Sequence, residues 1–274
     1  MKNILKLTSL LLLSGLIACG TDNSSSSTSS SPDYTVDKAR AIEVLTAIKT
    51  MEENETLPEY SAFKVKAEMS SSEGSESSHM EQIVALDTVS KEYYSKNSSE
   101  STTGSGSQSA VGEAWVYVDS GNTYTVRNDY GNKYHTVTTG EDAYNSVESS
   151  QINTPASALS SFPWNTSFTL SLLNNGTDST GYTATSETFE STGASNLSLS
   201  FVLNVSEEVT GIAGGVTGMI LDINYDNYRV SEIHALYSMS DSTEDMKLTL
   251  DYVSAGIVLP DLSEYPLDSS SATK

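Results

Sequence analysis

Leu197-Ser198-Leu199-Ser200-Phe201-Val202-Leu203-Asn204-Val205 sets an apolar side chain at every odd position and, Val202 apart, a polar one at every even position. A period of two marks a β-strand, because successive side chains leave opposite faces of the pleat. One face of this strand is therefore buried and the other meets solvent. The same alternation appears early in the chain, where Phe63, Val65, Ala67 and Met69 interleave with Ala62, Lys64, Lys66 and Glu68. Further strands are predicted at 80–86, 92–95, 114–118, 123–127, 133–137, 168–173, 182–189, 219–225, 230–239 and 246–253, each bounded by Gly, Asn, Asp or Ser. Ser120-Gly121-Asn122 and Tyr130-Gly131-Asn132 read as the tight turns of a meander.

The period changes over 36–53, where Ala41, Ile42, Leu45, Ile48 and Met51 form one apolar stripe of a helix, with Asp33 and Asp37 favouring its positive end. Shorter helical turns are predicted at 141–149 and 155–159. The Ser-rich stretches 70–78 and 97–109 lack apolar side chains to bury and are predicted as long exposed loops. About a dozen strands and two or three helices make an α+β protein dominated by one antiparallel meander. A sheet of that size must curl or close, so the expectation is a strongly curved half-barrel wrapping a few helices.

The N-terminal residues carry an address. Lys2 and Lys6 begin a short basic region, residues 10–17 are apolar but too few to span a bilayer, and Leu16-Ile17-Ala18-Cys19 follows. That tetrapeptide resembles the lipobox of bacterial lipoproteins. The resemblance implies cleavage between Ala18 and Cys19, lipidation of Cys19, and a protein anchored at the outer face of the cytoplasmic membrane. Cys19 is the sole cysteine, so a disulfide within the mature domain is excluded. Residues 1–18 form the signal, 19–31 a lipidated cysteine with a flexible Ser-rich tether, 32–268 a single domain, and 269–274 a frayed tail.

The chain carries 14 Lys and Arg against 36 Asp and Glu, a formal charge of −22, and grows two units more negative once Lys2 and Lys6 leave with the signal. Such a surface repels nucleic acid and anionic lipid head groups. The lipid anchor is therefore the expected mode of membrane contact.

The leading helix, the run Tyr60-Ser-Ala-Phe-Lys-Val-Lys-Ala67, Trp115-Val-Tyr-Val118 with Tyr124-Thr-Val126, and Leu248-Thr-Leu-Asp-Tyr252 before Ile257-Val-Leu-Pro260 together resemble the LolA-like and LppX/LprG-like lipoprotein carriers. That resemblance implies a curved sheet around a helical plug, with an apolar cavity between them for acyl chains of lipids or lipoproteins. Burial would supply roughly 0.8 kcal/mol per methylene. Phe63, Val65, Val84, Leu86, Val116, Leu199, Phe201, Leu221 and Ile223 are the candidate lining residues. Each is also explained as ordinary core, and an interior filled by them would leave a surface interaction or adhesion module of the same fold.

Signals for catalysis and metals are weak. Ser61-Ala-Phe-Lys64 satisfies S-x-x-K on a strand, whereas that chemistry needs Ser and Lys on one helical face. Gly211-Ile-Ala-Gly-Gly-Val-Thr-Gly218 lacks the lysine of a phosphate loop. His79, His135 and His234 are scattered, with no cysteine ligand near them. Asp222-Ile-Asn-Tyr-Asp226 opens like a calcium loop, but Asn227 and Ile233 stand where Gly and Glu are needed. Trp115 and Trp164 are expected as core anchors, and the 15 tyrosines as half-exposed strand residues. The sequence thus predicts a non-enzymatic binding lipoprotein without metal or cofactor.

Overall fold

A computed structural model describes residues 38–162, 164–177, 182–190, 195–205, 218–238 and 242–268. Cys19, the signal, the tether, the Gly-rich 211–217 and the tail lie outside them. The described residues form eleven strands and four α-helices. α1 (Lys38–Glu53) buries Ala41, Val44, Leu45 and Ile48, the i, i+3, i+4, i+7 spacing of a core-facing stripe. Six strands follow as consecutive hairpins: β1 (Ala62–Glu73), β2 (Glu76–Asp87), β3 (Glu92–Thr103), β4 (Gly106–Asp119), β5 (Asn122–Asp129) and β6 (Asn132–Thr139). Then come α2 (Asp142–Gln151), α3 (Thr154–Ser160) and α4 (Thr166–Asn175). A second meander ends the sheet: β7 (Tyr182–Glu190), β8 (Leu197–Val205), β9 (Gly218–Asp226), β10 (Arg229–Ser238) and β11 (Ser242–Asp251).

All eleven strands belong to one antiparallel, curved and unclosed sheet in the order β6-β5-β4-β3-β2-β1-β11-β10-β9-β8-β7. The last strand returns to pair with the first, so the two meanders meet at the β1–β11 seam, with Met69 opposite Met246. β6 and β7 are the edges, and the helices that join them in sequence cross one face of the sheet. α2 packs on β3, β4 and β5, α3 on β1, and α4 on β7 and α1. This is the α+β half-barrel that the alternation predicts.

Two turns behave as their sequences require. Ser120 and Gly121 have φ of 51° and 78°, and Tyr130 and Gly131 have 53° and 97°. Successive positive φ values match the right-handed twist of a hairpin and favour glycine at the second position.

Three expectations are corrected. Residues 70–78 and 97–109 are not long loops but the far ends of β1, β2, β3 and β4, closed by turns around Gly74 and Gly104. Their ladders are backbone hydrogen bonds, which need no apolar side chain, and hydroxyls pair across them: Ser71 with Ser78 at 2.8 Å, Ser72 with Thr243 at 2.9 Å and Thr102 with Ser107 at 3.1 Å. Residues 168–173 are helical, inside α4. Asn165 caps that helix by accepting from the Phe168 amide at 3.0 Å, and Gly176 ends it at φ 71°. A short apolar run is ambiguous between strand and helix, and here the caps decide it.

The chain after β11 straps the sheet's outer face. Ala255 packs on Ala62 and Ala85, and Trp115 Nε1 donates to the Val258 carbonyl at 3.1 Å. Tyr265 meets Trp115 edge-on at 5.9 Å between centroids. The strap then pairs with edge strand β6, the His135 amide donating to Pro266 O at 3.0 Å and the Asp268 amide to His135 O at 2.8 Å. A parallel pairing to an edge buries backbone groups that would otherwise template aggregation.

Candidate functional site

The sheet has two faces of different chemistry. On the inner, helix-bearing face all nine predicted lining residues come together. Phe63, Val65, Val84, Leu86, Val116, Leu199, Phe201, Leu221 and Ile223 are each no more than 6% exposed and belong to one cluster with the buried residues of α1 and α4. The helices fill the space these side chains face. Trp164 completes that packing, tilted against Phe162 at 5.6 Å and Tyr237 at 6.1 Å. A polar pocket of contacts sits under α4, where Thr166 Oγ1 donates to the Glu52 carboxylate at 2.9 Å. Burial there pushes the Glu52 carboxyl above its usual range.

Among the described residues, grooves indent both faces of the sheet. The smaller, about 310 Å³, lies on the inner side beside α2 and is lined by Tyr93, Val116, Arg127, Val147 and Gln151 among others. Val116 is the one predicted lining residue that reaches it. The larger, about 580 Å³, lies towards the far ends of the β1–β3 hairpins and is lined mainly by polar residues of the outer face, including Lys66, Glu68, Ser70, His79, Glu81 and Asp245.

That outer face is an ion-pair lattice set by register. Glu68 stands opposite Glu81, an arrangement of like charges that would be repulsive alone. The Lys66 ammonium contacts the Glu68 carboxylate and lies 3.2 Å from Glu81, which also meets Lys96. Partial burial would push the Glu81 carboxyl up, but hydrogen bonds from Lys96 and Lys66 outweigh it and hold the group below its usual range. Lys247 pairs with Glu232 at 2.8 Å. His234 is clamped, with Nε2 2.9 Å from Asp245 and Nδ1 3.4 Å from Asp222. Only the imidazolium can donate to both carboxylates. The hydrogen bond with Asp222, with help from Asp245, raises the His234 pKa above its ordinary value, and the same bond lowers that of Asp222.

Ser70 Oγ lies 3.2 Å from His79 Nδ1 across the β1–β2 pair. This has the spacing of a nucleophile and base, but among the described residues no hydrogen bond or ion pair joins His79 to Glu100, its register partner on β3. Lys64 lies in β1 and Ser61 just before the strand begins, so the two do not share a helical face. Asp222 and Asn224 sit on the outer face of β9, Asp222 engaged with His234 and Asn224 with Glu232. Among the described residues no group of three or more His, Cys, Asp or Glu is placed to hold a metal ion. The clamp on His234 and the Ser70–His79 contact escape sequence reasoning, because their members are joined only once strand register is known.

No family model and no curated protein matches the sequence. Among solved structures the chain is similar to a DUF1329 family protein from Desulfovibrio piger, at 10% identity and a TM-score of 0.23, over 87% of this chain and 100% of that one. A likeness at that score bears on neither fold nor function, and the architecture rests on the strands, registers and helices themselves.

Proposed function

We propose that the chain is a lipoprotein anchored through Cys19 at the outer face of the cytoplasmic membrane, and that its domain is a non-enzymatic interaction module rather than a container. One observation carries this reading: the nine inner-face side chains expected to line a cavity are no more than 6% exposed and packed against the protein's own helices. The larger groove opens on the opposite, polar face. A tether over 19–31, as expected from its Ser-rich sequence, would space the domain from the bilayer.

A second reading, a carrier of an acyl chain, is favoured by the smaller groove. There Tyr93, Val116 and Val147 continue the inner apolar face to the surface beside α2, so a chain entering at this point would reach the core by lifting that helix. Native mass spectrometry of residues 32–274, before and after organic extraction, separates the two. A lipid-free mass that stays so when phospholipid is offered is expected. A lipid-sized mass that extraction removes would overturn the filled interior and establish the carrier. For the anchor, Cys19→Ser should move the protein from the membrane fraction to the soluble one.

A further inference from the structure

We infer that the outer face binds a basic, apolar-ended segment of a partner protein along a cross-strand row from β8 to β3, whose β10-to-β3 part lines the larger groove. The inference rests on the reading of the domain as an outward-facing interaction module and names the chemistry of its partner.

Register places one continuous row of side chains across the sheet. Val202 faces Ile220 on β9, and Ile220 faces Leu236 on β10. All three lie on the outer face, opposite to their buried neighbours Phe201, Leu221 and Ala235. Val202 is 43% and Ile220 42% exposed. Single exposed apolar residues are ordinary, but here two exposed ones adjoin the half-buried Leu236 in one cross-strand row, and in β8 Val202 is the residue that breaks the strand's alternation. The row then changes character: Leu236 faces Asp245, Asp245 faces Ser70, Ser70 faces His79, and His79 faces Glu100. Leu236 and these four line the 580 Å³ groove.

Four carboxylates line that groove, on Glu68, Glu81, Glu100 and Asp245, against one ammonium, on Lys66. Glu68 and Glu81 are engaged by lysines and Asp245 by His234. Glu100 lies exposed at the end of the row, and among the described residues no ion pair with a lysine engages it. Charge complementarity to Glu100 therefore selects a basic occupant at one end of the row, and burial of the exposed Val202 and Ile220 selects an apolar one at the other. At about 4.8 Å per strand, the row from Val202 to Glu100 spans about 29 Å. An extended segment of eight residues covers about 28 Å.

The probe is a fluorescein-labelled peptide, Lys-Lys-Lys-Lys-Gly-Leu-Leu-Leu, titrated into the full-length protein and read by anisotropy. Two further peptides carry Glu for Lys or Ser for Leu. The Lys/Leu peptide should bind, the Glu/Leu peptide should not, and the Lys/Ser peptide should bind at least tenfold more weakly. Glu100→Lys and Ile220→Ser should each weaken the Lys/Leu peptide tenfold or more. Glu100→Gln and Val202→Ser are the milder versions, should either fail to give the parent's circular dichroism. Equal binding of the Lys/Leu and Lys/Ser peptides, or affinity unchanged by the folded variants, would reveal diffuse attraction to an acidic protein and overturn the inference, as would no binding at all. A failure here with a lipid-free mass removes this groove and leaves the interaction module standing, whereas a lipid-sized mass removes the module reading itself.

Discussion

Phe201 and Val202 are neighbours in sequence with opposite fates, one fully buried and the other 43% exposed. Phe201→Ala empties a site among the inner-face side chains and should cost about 3–5 kcal/mol, whereas Val202→Ala should stay within about 0.5 kcal/mol. Chemical denaturation of both variants checks the assignment of faces, and equal losses would contradict it. His234 gives the outer face a pH signature. Its folded pKa is raised above the ordinary 6.5 by Asp222 and Asp245, so the folded state holds that proton more tightly than the unfolded chain. The stabilisation is fully present below pH 6.5 and is lost as pH rises through the higher folded value. Asp222, whose pKa is lowered from 3.8, behaves oppositely, contributing above that value and losing its contribution as acid titrates it. His234→Gln should therefore lower the urea midpoint most below about pH 6.5, and the difference from the parent should shrink as pH rises into the alkaline range. A gap that persists unchanged at alkaline pH would mean that packing, not charge, holds the imidazole.

At the scale of elements, α4 is the plainest test of local chemistry, since residues 168–173 read as a strand and fold as a helix. Asn165→Ala removes the cap on the Phe168 amide and should cost about 1 kcal/mol, with faster amide hydrogen exchange confined to the first turn of α4. Exchange spreading into β8 would show instead that the helix and sheet open as one unit. The capping signal, Asn165 ahead of the run and Gly176 behind it, is present in the sequence, yet a stretch as apolar as Phe168-Thr-Leu-Ser-Leu-Leu173 hides its period. The strands with one wet face are legible because solvent imposes alternation on them, and by the same parity the nine inner residues could be placed on one face without coordinates. The far ends of β1–β4 are not legible. Both faces there are polar, so alternation vanishes, and only the backbone ladder and the hydroxyl pairs record the strand. The outer groove is illegible for a related reason: Val202, Leu236, Asp245, Ser70 and His79 are brought into one row by five successive registers, none of which composition or periodicity specifies.

For the molecule as a whole, the filled inner face and the charged outer face pull in different directions. The apolar cluster draws two meanders together across the β1–β11 seam, while 36 acidic side chains against 14 basic ones resist compaction. Eleven ion pairs are distributed over the described residues, several of them half-exposed, and surface pairs of this kind contribute about 0–1 kcal/mol each. Salt weakens such pairs and also screens the general repulsion. With a net charge of −22 the repulsion has the larger reach, because it sums over many separated charges whereas each pair acts at contact. Raising NaCl from about 10 mM to about 500 mM, which shrinks the Debye length from about 30 Å to below 8 Å, should therefore raise the thermal midpoint. Each kcal/mol gained corresponds to about 2–4 °C for a domain of this size. Calcium chloride at equal ionic strength should add nothing further, since the described residues place no cluster of three or more ligands for a cation. A midpoint that falls with NaCl would show the ion pairs to dominate, and a rise peculiar to calcium would locate a cation site that the acidic composition alone does not specify.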